Sequence, residues 1–120
     1  MSTIKADTIV ASDGSSPVTL TKQSAAKAWA NTTADGTTLQ DSFNISSLGD
    51  TSTGKQAFNF TNAMTNSSFS GSGTNGDSTS PDGLFFANVS SSRVDGESLQ
   101  FDNSAYADNP QRVVVIGDLA

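Results

Sequence analysis

The residues of this chain best suited to chemistry are its carboxylates, and the densest group is Asp95, Glu97, Asp102 and Asp108. Paired carboxylates at a fixed separation beside a cleft are the equipment of glycoside hydrolysis. Against that reading, Asp95-Gly96 is a hairpin-turn signal, and a chain of 120 residues offers little depth for a cleft. Histidine and cysteine do not occur, which removes the commonest general base, thiolate metal sites and any Ser-His-Asp triad. The expectation is therefore a protein that is not an enzyme, with no catalytic residue, no metal ligand and no cofactor.

A second group, Asn75, Asp77 and Asp82, lies within the stretch 71–83, which is otherwise Gly, Ser, Thr and Pro. It imitates a calcium loop, but calcium needs about six to eight oxygen ligands, and the Asp-x-Asp-x-Asp-Gly spacing is missing. The plain reading is a surface loop. The functional alternative is a tip whose adaptable hydrogen-bonding groups touch a receptor, with Asn75, Asp77 and Asp82 as contact candidates. Five Asn-x-Ser/Thr sequons, at Asn31, Asn44, Asn59, Asn66 and Asn88, are what so much Ser and Thr produces by chance.

Composition bounds what positions these residues. Ser, Thr, Asn and Gly make up 53 of 120 residues, whereas Leu, Ile, Val and Phe make up 24. The first set favours turns and solvated strand faces over helix interiors. A thin all-β protein that completes its core by oligomerising fits best. Twelve carboxylates against six scattered basic residues exclude a basic nucleic-acid footprint. No segment approaches the roughly 20 apolar residues of a membrane span, and the N-terminus lacks a signal-peptide pattern. Synthesis in a cytoplasm, without membrane insertion, is the expectation.

Residues 1–30 read as an arm and 31–120 as a β-sandwich domain. In the arm, alternation over 4–10 predicts a strand, Ser12 to Pro17 a turn, and Val18 and Leu20 a second strand. Ser24 is placed to cap a short helix, SAAKAWAN, over 24–31. Further on, Leu39, Phe43, Ile45 and Ser47 share one parity of a strand. Residues 48–54 read as a loop, and Phe58 and Phe60 alternate in the next strand. Phe85 and Phe86 must point to opposite faces of a strand, the outward one covered by a second sheet or flanking loop, or by a subunit interface. The run Val113 to Ile116 lacks alternation, the mark of a strand covered on both faces. Regular turn spacing predicts a small antiparallel sandwich or barrel.

Three pieces in the region 27–64 carry a resemblance: Lys27-Ala28-Trp29, Asp41-Ser42-Phe43-Asn44-Ile45-Ser46-Ser47, and Asn59-Phe60-Thr61-Asn62-Ala63-Met64. Together they resemble a segment that recurs in tail-fibre and related appendage proteins of marine bacteriophages. The opening Ile4 to Ile9 and the close Val113 to Asp118 are similar to the ends of such proteins. The resemblance implies a virion structural protein: a short trimeric tail fibre for host attachment, or a capsid decoration, head fibre or adaptor with a purely structural role. It also implies a homotrimer whose partners are other virion proteins and, at its tip, a host surface glycan or protein. Ile4, Ile9, Val10, Trp29, Phe85 and Phe86 are the assembly-contact candidates.

Overall fold

The computed structural model describes residue 12 and residues 26–33, 35–76, 82–102 and 104–117. The expectations for the rest of 1–25, with Ile4, Ile9 and Val10, and for Asp77 fall outside the described residues. Every regular element among those described is a strand: β1 Ala26–Thr32, β2 Leu39–Phe43, β3 Ile45–Ser52, β4 Lys55–Phe60, β5 Ser70–Asn75, β6 Asp82–Ser90, β7 Arg93–Gln100, β8 Ala105–Tyr106 and β9 Gln111–Ile116. They form two antiparallel sheets. Sheet A runs β2-β1-β9-β5, and sheet B runs β3-β4-β7-β6, with the short β8 added to β7. The all-β class read from composition is observed, and of the sandwich or barrel expected from turn spacing the fold is the sandwich.

The core lies between the sheets. Ala28, Ala30, Val113 and Val115 of sheet A face Ile45, Phe58, Phe60 and Val94 of sheet B, and Met64 fills one end. Burial alternates along β9, with Val113 and Val115 inside and Ile116 exposed. Among the described residues, β9 is thus covered on one face only.

Of the helix expected over 24–31, the described part, 26–31, is strand instead. Alanine-rich sequence favours helix by propensity, but Ala28 and Ala30 are small inward residues on a central strand of sheet A. Their size leaves the volume between the sheets to the phenylalanines of β4, and tertiary packing overrides the local preference. Residues 26–30 therefore belong to the sheet.

The strand expected through Leu39, Phe43 and Ile45 is broken at Asn44, which adopts φ 57°. The chain turns a corner there, leaving sheet A by β2 and entering sheet B by β3. Phe43 consequently faces solvent and Ile45 the core. The Asn44 carboxamide holds the corner. Its Nδ2 donates to the carbonyls of Lys27 and Asn62, each at 3.0 Å, and its Oδ1 accepts from the Asn62 N–H at 2.7 Å.

Two expected loops are largely strand. The stretch 48–54 continues β3 to Ser52, and the turn is only Thr53-Gly54. Gly54 has φ 71°, and a Cβ there would lie 2.7–2.9 Å from the backbone of Ala107 and Ser98, so no side chain fits. The stretch 71–83 contains most of β5 and the start of β6, and its residues 77–81 fall outside the described residues. The inward glycine Gly73 lets Leu84 of β6 approach, since a Cβ at that position would collide with Leu84 and with the Arg112 carbonyl. Asp95-Gly96 is likewise no turn. It lies in mid-β7, while the hairpin turns at Ser91-Ser92. Gly96 leaves room for its neighbours, since a Cβ there would press on the end of the Gln111 carboxamide and on the Phe58 ring.

Candidate functional site

The sequence-flagged carboxylates are held by their neighbours. On β7, Asp95 and Glu97 project from the outer face of sheet B. Asp95 is buried, accepting from Arg93 Nη2 at 3.0 Å and Asn88 Nδ2 at 2.9 Å. Glu97 Oε1 meets Lys55 Nζ at 3.1 Å, while its Oε2 accepts from the Tyr106 hydroxyl at 3.1 Å. The ammonium of Lys55 also sits 4.0 Å above the Tyr106 ring. Its hydrogen bond to Glu97 is the main cause that raises the Lys55 pKa above its ordinary value. Asp108 accepts from the Gly54 N–H at 2.5 Å. These are clasps between strands and turns.

The receptor-contact candidates Asn75 and Asp82 are brought to the same end of the sandwich, flanking the β5–β6 connection. Both are used internally. Asn75 Nδ2 donates to the Gly83 carbonyl at 3.0 Å, and Asp82 Oδ2 accepts from Asn109 Nδ2 at 2.7 Å. The same end buries Thr32, Gln56, Ser98 and Gln111. There the Gln111 N–H donates to Thr32 Oγ1 at 2.8 Å, and its Nε2 to the Gly54 carbonyl at 3.2 Å.

Among the assembly candidates, the expected opposition of Phe85 and Phe86 is observed. Phe86 packs against the core, and Phe85 faces out, 49% exposed. Phe85 meets Phe101, itself 55% exposed, edge to face with ring centroids 6.2 Å apart. Phe101 has no signal in the sequence, because it follows the end of β7 and reaches Phe85 only through strand pairing. Trp29 lies on the opposite side of the molecule, on the outer face of sheet A.

That outer face is ordered in two rows by strand register. Phe43, Trp29, Val114 and Ser72 are cross-strand neighbours in one row. Asp41, Asn31, Arg112 and Thr74 form the next. Between the Trp29 side and the Ser72–Thr74 side lies an open trough of about 390 Å³, with Val114 and Arg112 between them. Arg112 is exposed and lies against Gly76, whose missing side chain leaves room for the guanidinium. Among the described residues Lys55 and Arg93 have ion-pair partners and Arg112 has none. Neither outward position, that of Trp29 or of Val114, was legible locally, since the run Val113 to Ile116 does not alternate and Trp29 falls in a segment that reads as helix. Their juxtaposition required knowing that β1 and β9, the first and last strands among the described residues, are neighbours.

No protein-family model matches the chain, and no curated protein sequence or solved structure matches it either.

Proposed function

We propose that the chain is a virion structural protein, a short trimeric tail fibre of a bacteriophage that takes part in host attachment. One observation supports this reading above others. The three pieces that resemble phage appendage proteins, separated in sequence, meet at a single corner. Asn44 of the second piece hydrogen-bonds to Lys27 of the first and Asn62 of the third, and Met64 closes the core beneath them. The resemblance thus follows a folding unit rather than a scatter of common residues.

The trimer assembles through the aromatic surface of sheet B, where Phe85 and Phe101 expose a contiguous apolar pair, together with the N-terminal arm. Large exposed apolar groups gathered in one place mark contact surfaces. The purely structural alternative, a decoration or head fibre, differs in copy number and position. Cryo-electron microscopy of the particle should show the density in threes at the tail. Density spread over the shell would replace the fibre reading with the decoration reading, and absence from particles would end both.

A further inference from the structure

We propose that the trough beside Trp29 is a binding site for an acidic sugar, a pyranose ring that carries a carboxylate. The inference stands on the trough alone and holds whether or not the chain belongs to a virion. Its shape comes first. A volume of about 390 Å³ falls within the range of small-ligand sites. Strands β1 and β5 are two spacings apart, roughly 10 Å, which suits one six-membered ring and its substituents.

Its chemistry is two-sided. The indole of Trp29 is 36% exposed and forms one wall. One face of a pyranose presents mainly C–H groups, and stacking them on an aromatic ring removes apolar surface from water without stripping the sugar hydroxyls. Aromatic groups with an apolar body and a polar tip serve such half-wet contacts. Opposite the indole, the Ser72 and Thr74 hydroxyls are placed to exchange hydrogen bonds with the ring substituents.

Arg112 selects the charge. It is a cation without an ion-pair partner among the described residues, in a chain whose formal net charge is -6. A guanidinium presents a planar fork of donors that matches a carboxylate in two parallel hydrogen bonds. The carboxylate in its own cross-strand row, Asp41, lies beyond Asn31, two strands away.

The chain contains one tryptophan, and it forms a wall of this trough, so its fluorescence reports on occupancy there. The purified full chain is titrated with trigalacturonate and, separately, with the neutral trisaccharide maltotriose. The expected result is a saturable change in emission with trigalacturonate, and binding of maltotriose about tenfold weaker or less. Arg112→Gln should weaken trigalacturonate binding roughly ten- to a hundredfold, the range for loss of a hydrogen-bonded charge, with an unchanged melting temperature. Thr74→Val, at an exposed position, should weaken it several-fold and serves as the test if the first variant fails to fold. Absence of saturation up to about 10 mM trigalacturonate overturns the proposal. So does equal binding of maltotriose, or binding indifferent to whichever variant is folded. Trp29 shielded from a soluble quencher in an oligomer would assign the face to a second copy and overturns it too.

Discussion

At the scale of single residues, the Asn44 side chain holds the corner between the two sheets. It adopts a left-handed conformation that costs most side chains about 1–2 kcal/mol, and it ties three segments with one carboxamide. Asn44→Ala should destabilise by about 2–4 kcal/mol through strain and lost hydrogen bonds. Asn44→Gly loses the same bonds but accepts the φ, and should cost about 1 kcal/mol less. Urea denaturation of the two variants checks the order. Asp35 offers a cleaner electrostatic test. The Thr33 hydroxyl first, then the Thr37 N–H, hydrogen-bond to its carboxylate and lower its pKa below the model-compound value of 3.8. These bonds favour the ionised form in the folded state, so their contribution is present above pH 3.8 and disappears as pH falls through the lowered pKa. A carboxyl NMR titration should place Asp35 below its ordinary value, and Thr33→Ala should move it back up.

Among the elements, β5 illustrates how a sequence that looks like loop becomes strand. Ser-Gly-Ser-Gly-Thr-Asn has no large apolar residue, yet it pairs with β9 along its whole length, from Ser70 opposite Ile116 to Asn75 opposite Gln111. Its inward glycines accept side chains from the other sheet instead of supplying their own. Gly73→Ala should therefore destabilise by about 1–3 kcal/mol, the usual cost of overpacking, because a Cβ meets the Arg112 carbonyl, 2.8 Å away, as well as Leu84. Gly71→Ala should cost less, because its nearest obstacle is the Phe86 ring at 3.1 Å, which can shift. Melting temperatures in the order parent, Gly71→Ala, Gly73→Ala are the expected result. The reverse order would mean that the sheets are free to separate at β5.

For the molecule as a whole, the pairing of β1 with β9 sets where the chain can be cut. Because Ala28 and Ala30 are core residues on a central strand, deleting residues 1–25 should leave β-rich circular dichroism intact. Deleting 1–30 should abolish it. On the proposed reading, the longer chain is the one that assembles. Light scattering on the full protein should report about three chains, closed symmetry being the rule for homo-oligomers, and Phe85→Ser with Phe101→Ser should reduce the mass toward a single chain. A full-length protein that stays monomeric at micromolar concentration would remove the trimer.

The all-β class was legible in the sequence because it rests on local terms. Ser, Thr, Asn and Gly disfavour helix interiors wherever they sit, and strand alternation is written into neighbouring residues, as Phe58 with Phe60 and Phe85 against Phe86 show. The absence of histidine and cysteine was equally plain, since residue types need no fold. Sheet membership was not legible, because it depends on which distant strands meet. Ala28 and Ala30 look helical until Phe58 and Phe60 stand opposite them. Gly73 and Gly96 look like turns until Leu84 and Gln111 occupy the space their missing side chains leave. Trp29 is an isolated aromatic in the sequence. Only pairing with β9, some 80 residues later, sets Arg112 one row from it and opens the trough between them.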